Sequence, residues 1–140
     1  MLKKTVVLVV EDEQMLNELY SESLQMKGFL VLTASDGVAA LEQLELHGDD
    51  IDLVLLDLLM PKKNGFEVLE AMNNHPEWKN IPVIVATNLN EESDKERALA
   101  LGANEYIVKL ARTPQELAAD ITSICCTRKG GQRKRVVMNN

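Results

Sequence analysis

The 140-residue sequence has few aromatic residues, no long hydrophobic run and no signal for secretion. Only 4% of its residues are aromatic, so we expect the core to be built from aliphatic side chains. No apolar stretch approaches the roughly 20 residues that cross a membrane. The short apolar segment at the N-terminus lacks the small-residue cleavage site of a signal peptide. We therefore expect a cytoplasmic protein without a membrane segment.

Cysteine and histidine are also scarce. The two cysteines, Cys125 and Cys126, are adjacent, and the two histidines, His47 and His75, stand alone. Neighbouring residues on a helix point about 100° apart, so these cysteines do not readily bond to each other. No cysteine–histidine spacing typical of a zinc site is present. The sequence predicts reduced cysteines and surface histidines, and it disfavours both a disulfide scaffold and a zinc domain.

The net charge of −7 is unevenly distributed along the chain. Residues 127–140 contain five basic side chains and no acidic one, so residues 1–126 carry all 22 acidic groups. An acidic body disfavours nonspecific binding to nucleic acid. We predict one domain at residues 1–126, followed at 127–140 by a disordered basic tail or the start of a linker. The alternative is that this tail binds an acidic partner or nucleic acid.

Strand-like and helix-like segments alternate five times. Each apolar run of strand length is followed by a segment with helical spacing, and signals such as Asp36, Asn64 with Glu67, and Thr113 with Pro114 mark helix starts. This alternation predicts an α/β domain in which helices cover both faces of a parallel sheet. The predicted strands are 5–10, 29–34, 53–57, 81–86 and 105–108.

Acidic residues stand at the ends of two apolar strands. Glu11 and Asp12 follow Val6–Val10, and Asp57 follows Leu53–Leu56. Open α/β sheets place their sites at the carboxyl ends of the strands, so these carboxylates are expected to share one pocket. Like charges crowded together need a cation, and oxygen-only ligands favour a hard ion such as Mg²⁺. The sequence therefore predicts a magnesium site.

Thr87 and Lys109 follow the fourth and fifth strands, so we expect them at the same edge of the sheet as the carboxylates. A carboxylate such as Asp57 can act as a nucleophile towards phosphorus, and a metal held beside it neutralises phosphoryl oxygens. Lys109 offers a positive charge to the same oxygens, and the Thr87 hydroxyl offers a hydrogen bond. Together these groups indicate phosphoryl transfer.

Five motifs follow one another along the chain, and each contains a strand or the residues next to one. They are VLVVEDE from Val7, TASDGVAAL from Thr33, LVLLDLLMPKKNG from Leu53, PVIVAT from Pro82 and ALGANEYIVK from Ala100. Their order and spacing resemble the receiver domains of bacterial two-component signalling, the fold of the chemotaxis regulator. The resemblance implies a flavodoxin-like, doubly wound five-stranded parallel sheet in the order 2-1-3-4-5 with five helices.

The resemblance assigns a role to each residue of the pocket. Asp57 is expected to accept a phosphoryl group from a sensor histidine kinase or a phosphotransfer protein, and Thr87 and Lys109 to bind that group. Tyr106 is expected to turn inward when Thr87 moves. The implied ligands of Mg²⁺ are the carboxylates of Glu11, Asp12 and Asp57 and the backbone carbonyl of Leu59.

The resemblance also implies an output surface. It is formed by the helix after Glu91, the strand from Glu105 and the last helix, and it is expected to bind a downstream effector protein or a second copy of the domain. The helix after Glu91 has a thin apolar face, which fits a surface with two arrangements. We expect a response regulator that is not an enzyme and has no DNA-binding domain.

Two residues depart from the family pattern. Leu110 stands where the family usually has a proline after the lysine, commonly in a cis bond. A cis bond without proline costs roughly 3 kcal/mol, so we expect a trans bond or an altered loop that shifts Lys109. Asn88 stands where the family has a small residue after the threonine. Its side chain is expected either to hinder water at the acyl phosphate or to contact the phosphoryl group.

Three alternatives compete with this interpretation. A phosphatase with an aspartyl nucleophile usually has a second aspartate two residues on, where this sequence has Leu59. A flavin or nucleotide carrier of similar fold needs a glycine- or hydroxyl-rich loop after the first strand, where acidic residues would repel phosphate. The third alternative is a receiver-like module that binds partners without phosphorylation, which Leu110 and Asn88 favour.

Overall fold

The computed structural model describes residues 3–127, and only the backbone of residues 126 and 127. Its five strands pair in parallel in the order β2-β1-β3-β4-β5, which confirms the predicted sheet. Within residues 3–127, no helix is long and apolar enough to cross a bilayer. The strands are β1 (Val6–Val10), β2 (Leu30–Ala34), β3 (Leu53–Leu56), β4 (Val83–Thr87) and β5 (Glu105–Val108).

Helices cover both faces of the sheet, as predicted. One core cluster joins the sheet to α2, α3 and α4, and a second joins it to α1 and α5. A 3₁₀ turn, Lys109–Ala111, precedes α5. Apart from Thr127, the predicted tail lies outside the described residues, so its disorder stays a prediction. The helices are α1 (Gln14–Met26), α2 (Gly37–His47), α3 (Gly65–Asn74), α4 (Glu92–Ala100) and α5 (Pro114–Thr127).

The central strands are buried on both faces. Leu8 and Val10 of β1 belong to the core under α2 and α3, whereas Val7 and Val9 belong to the core under α1 and α5. Each fully buried aliphatic side chain of this size stabilises the fold by about 1.5–3 kcal/mol. This two-sided burial fixes β1 and β3 at the centre of the sheet, and with them the residues that follow each strand.

Side-chain caps set where three helices begin. Asp36 accepts a hydrogen bond from the Ala39 N–H at 2.8 Å at the start of α2. Asn64 and Glu67 form a reciprocal capping box at the start of α3, with distances of 2.8 and 3.0 Å. Thr113 and Glu116 exchange the same pair of bonds at the start of α5, at 2.9 and 3.0 Å. All three caps were predicted from the sequence.

Helix α3 starts very close to the end of β3. The Gly65 N–H donates to the Leu58 carbonyl at 3.0 Å, which closes the base of the intervening loop. A Cβ atom on Gly65 would collide with the carbonyl oxygen of Asp57. Only glycine allows this approach without moving the backbone that follows Asp57.

Helix α4 is held much more loosely than α3. Ala98 is its one buried residue, whereas α3 buries five residues, including Leu69 and Met72. The Arg97 guanidinium lies 4.0 Å from the centre of the Phe66 ring of α3, so a cation–π contact supplements the small apolar interface. The thin apolar face that was predicted for this helix is confirmed.

The prediction of an aliphatic core is wrong in part. Tyr20, Phe29, Phe66 and Trp78 are all buried. Trp78 lies in the loop after α3 and stacks on the half-buried His75, with 3.7 Å between ring centroids. The few aromatic residues are thus concentrated in the interior, because each buries more apolar area than an aliphatic side chain.

Candidate functional site

Three carboxylates come together at the carboxyl edge of the sheet. Glu11 and Asp12 follow β1, Asp57 follows β3, and one oxygen from each lies within 4.8 Å of the others. Glu11 and Asp57 are buried, whereas Asp12 is exposed. The cluster has only oxygen donors and is open on one side, which suits a hard divalent cation that keeps several water ligands.

Lys109 supplies a positive charge inside this cluster. Its Nζ lies 2.7 Å from Glu11 Oε1 and 2.9 Å from Asp57 Oδ2, and its side chain is only 8% exposed. The residue comes from the first position of the 3₁₀ turn after β5. Two strands on either side of β4 thus deliver opposite charges to the same point.

The charges of this cluster shift one another's ionisation. Burial alone would lower the pKa of Lys109, but its hydrogen bonds to Glu11 and Asp57 outweigh burial and raise that pKa from 10.5 to about 12. Burial raises the pKa of Glu11 above its usual 4.5, against the opposing effect of Lys109. Lys109 is therefore a permanent cation at physiological pH.

Thr87 and Tyr106 meet at a common neighbour in the loop after β4. The fully buried Thr87 accepts a long hydrogen bond from the Leu89 N–H, at 3.4 Å. The Tyr106 hydroxyl donates to the Leu89 carbonyl at 2.7 Å. Burial raises the pKa of Tyr106, which keeps its hydroxyl protonated as a donor. The two predicted switch residues are thus linked through Leu89.

Leu59 contacts the pocket through its backbone N–H, which donates to Asp57 Oδ1 at 3.2 Å. The other oxygen of Asp57 is held by Lys109 at 2.9 Å, so both carboxylate oxygens have a donor. The metal-binding role of the Leu59 carbonyl stays a prediction. What the structure adds is a donor that orients the Asp57 carboxylate.

Asn88 and Leu110, the two residues that depart from the family pattern, contact each other. Residues 3–127 contain no cis peptide bond, which confirms the expected trans bond before Leu110. Lys109 nevertheless reaches Glu11 and Asp57, so the expectation of a displaced lysine is wrong. The Asn88 side chain accepts a hydrogen bond from the Leu110 N–H at 3.1 Å and is directed to that group.

Asn17 is a site residue that sequence reasoning missed. Its buried amide donates to the Glu11 carbonyl at 3.0 Å and to the Ala34 carbonyl at 3.2 Å. These bonds fix the backbone that carries Glu11 and Asp12. The available signal was a polar residue at helical spacing from the inward-facing Tyr20 and Leu24.

A match to a known family accompanies this geometry. The chain matches the model of the response regulator receiver domain over residues 7–122. It belongs to this family. Receiver domains with known structures share its flavodoxin-like fold, which confirms the predicted fold class.

Individual relatives agree with this membership. The chain is 42% identical over 118 residues to the transcriptional regulatory protein CpxR of Escherichia coli (strain K12), covering 84% of this chain and 48% of that protein. The chain thus spans about half the length of the curated relatives it matches.

Two solved receiver structures are similar along nearly their whole length. The Mn²⁺-bound form of response regulator Rcp1 has a TM-score of 0.73 and 33% identity, covering 86% of this chain and 91% of that one. The phosphorylated cyanobacterial phytochrome response regulator RcpA has a TM-score of 0.76 and 31% identity, covering 88% and 92%.

Proposed function

We propose that this receiver domain accepts a phosphoryl group on Asp57 in a two-component phosphorelay. The observation that carries the proposal is the Lys109 ammonium held 2.9 Å from Asp57 and 2.7 Å from Glu11, inside a cluster of carboxylates. A buried nucleophile, a fixed cation and an oxygen-rich metal pocket are what phosphoryl transfer requires. In this proposal the domain is the substrate of a kinase and not itself an enzyme.

The carboxylates of Glu11, Asp12 and Asp57 fit a bound Mg²⁺, because their oxygens lie within 4.8 Å of one another and Asp12 faces solvent. The similar Rcp1 has been crystallised in a Mn²⁺-bound form, which supports a divalent ion here. When bound, the ion neutralises charge on the phosphoryl oxygens. The Leu59 carbonyl is the proposed fourth ligand from the protein.

The protein's own groups prepare Asp57 for attack. The Leu59 N–H and Lys109 each hold one oxygen of the carboxylate, which fixes its plane. An Asp57 oxygen forms a bond to phosphorus while the phosphorus–nitrogen bond of a phosphohistidine breaks and its electron pair stays on the imidazole. Lys109 then pairs with one oxygen of the transferred phosphoryl group, and the Thr87 hydroxyl donates a hydrogen bond to another of its oxygens.

A labelling experiment tests the phosphoacceptor. Incubation with acetyl phosphate and Mg²⁺ is expected to add one phosphoryl mass that base and hydroxylamine remove. Asp57→Asn is expected to gain none, whereas Asp49→Asn, an exposed aspartate in the loop before β3, is expected to be labelled like wild type. Labelling of Asp57→Asn at the wild-type rate would disprove the assignment.

The switch is proposed to run from Thr87 through Leu89 to Tyr106. Both residues bond to Leu89, so a shift of Thr87 towards a phosphoryl group changes the contacts of the Tyr106 hydroxyl. The affected surface is α4, β5 and α5, which we propose binds the effector or a second copy. Thr87→Ala is expected to reduce the amide NMR shifts that beryllofluoride, a phosphoryl mimic, produces around Tyr106.

A second candidate is signalling without phosphorylation. Lys109 already pairs with Glu11 and Asp57, and the Tyr106 hydroxyl is already bonded to Leu89 without a phosphoryl group. These bonds favour a surface that binds partners in its resting form. Wild-type protein whose amide spectrum does not change with beryllofluoride and Mg²⁺ would support this candidate over the first.

A further inference from the structure

One hydrogen bond joins the loop after β4 to the turn after β5. The Leu110 N–H donates to Asn88 Oδ1 at 3.1 Å, across 22 residues of sequence. Thr87 and Val108 are opposite each other at the ends of these two strands. Asn88 therefore spans the gap where backbone pairing of the sheet stops, directly beside Lys109.

Besides the two ion pairs of the Lys109 side chain, the turn that carries Lys109 has few attachments, and its backbone is the part in question. The first N–H groups of any helical turn have no acceptor within the turn, and Val108, which precedes this one, provides no side-chain cap. Leu110 and Ala111 are exposed, Leu110 to 85%, whereas the Lys109 side chain is inserted into the pocket. Asn88 supplies the missing cap from a neighbouring loop.

We propose that Asn88 is a positioning residue for the phosphoryl-transfer site. By capping the Leu110 N–H it holds the turn so that the Lys109 ammonium stays between Glu11 and Asp57. Because Asn88 directly follows Thr87, the same bond transmits any shift of Thr87 to the Lys109 turn. The catalytic meaning of this role rests on the proposed function, whereas the hydrogen bond itself is independent of it.

The first test removes the acceptor and leaves every charged group in place. Asn88→Ala is expected to speed amide exchange at Leu110 about fivefold, because that factor corresponds to the net contribution of one hydrogen bond to stability. It is also expected to shift the NMR signal of the Lys109 ammonium and to raise the half-saturating beryllofluoride concentration by a similar factor. Asn88→Asp keeps an acceptor oxygen and is expected to retain slow exchange at Leu110.

Controls separate this bond from general damage to the loop. Asn90→Ala changes an exposed asparagine of the same loop and is expected to alter none of these readouts. Leu110→Pro removes the donor N–H. Adding Asn88→Ala to this variant is therefore expected to change neither the Lys109 signal nor the half-saturating beryllofluoride concentration any further. Leu110→Ala keeps the donor, so adding Asn88→Ala there is expected to have its full effect.

Each outcome decides the proposal. Unchanged Leu110 exchange in Asn88→Ala, or an unmoved Lys109 signal despite faster exchange, would overturn it. If Leu110→Pro does not fold, the comparison of Asn88→Ala with Asn88→Asp decides alone. If wild type takes up neither a phosphoryl group nor beryllofluoride, the proposed function fails. Amide exchange at Leu110 and the NMR signal of the Lys109 ammonium still test the role of Asn88 in that case.

Discussion

Strands β3 and β5 have the same length, and both end at the acidic pocket, yet they are packed very differently. All four residues of β3 are buried, whereas Glu105 of β5 is exposed and the other three residues are half-buried. The cause is position, because β3 lies between β1 and β4, while β5 is at the edge of the sheet and, within residues 3–127, pairs with β4 alone.

Under the proposed function, the difference separates two tasks within one pocket. Asp57 follows the firmly packed strand, and Lys109 follows the loosely packed one beside Tyr106. A nucleophile benefits from a fixed position, whereas a group that responds to a bound phosphoryl needs a segment that moves at low cost. The neighbouring α3 and α4 repeat the contrast, since α3 buries five residues and α4 buries one.

The largest effect on the free energy of unfolding is expected when a leucine of α3 is replaced, and the same change in α4 provides the comparison. Leu69 of α3 is 1% exposed, and Leu99 of α4 is 41% exposed. Leu69→Ala should lower the free energy of unfolding by about 3–4 kcal/mol because it leaves a cavity. Leu99→Ala should cost less than about 1 kcal/mol. Urea denaturation of both variants measures the contrast, and equal losses would contradict it.

The second-largest effect is expected when the charge of Lys109, which connects the end of β5 to Asp57 at the end of β3, is removed. Lys109→Met leaves Glu11 and Asp57 buried without a counter-charge, so the free energy of unfolding should fall by about 2 kcal/mol in metal-free buffer. Mg²⁺ should restore most of this loss, and so should a second change, Glu11→Gln. A Lys109→Met protein as stable as wild type without metal would show that the ion pairs contribute little.

The same lysine predicts a dependence on alkaline pH. Its pKa is raised in the folded state from 10.5 to about 12, so its contribution to stability is fully present below 10.5 and is lost as the pH rises towards 12. In metal-free buffer, urea unfolding followed across this interval should show a steeper loss for wild type than for Lys109→Met. Parallel losses in the two proteins would rule out a contribution from Lys109.

The smallest effect should come from the contact between the two helices. Arg97→Ala removes the cation–π contact with Phe66 and should cost about 0.5–1 kcal/mol. Because α4 is loosely packed, the change should appear mainly as faster amide exchange within α4. Lys95→Ala, which alters an exposed cation of the same helix, is the control and should leave that exchange unchanged.

The sequence predicted the parts of the site that depend on strand patterning. An apolar run followed by Asp57, and another followed by Glu11 and Asp12, sufficed to place those carboxylates together, because parallel strands end at one edge. Helix starts such as Asn64 with Glu67 were also readable, since both partners of a capping box lie three residues apart.

What the sequence did not reveal depends on contacts between distant segments. The bond from Leu110 to Asn88 links a backbone group to a side chain 22 residues away, and neither residue type requires the other. The burial of Trp78 likewise depends on how the loop after α3 folds onto the core. Lys109 does reach its predicted place in the pocket, where it forms ion pairs with Glu11 and Asp57.

The closed base of the loop after β3 has a consequence for how this region can change in length. The Gly65 N–H bonds to the Leu58 carbonyl, and α3 starts against the Asp57 backbone, so both ends of the loop are fixed independently of its tip. Pro61 and Lys62 are exposed at that tip. Residues inserted between them should therefore lengthen the rim of the pocket while the register of Asp57 is preserved.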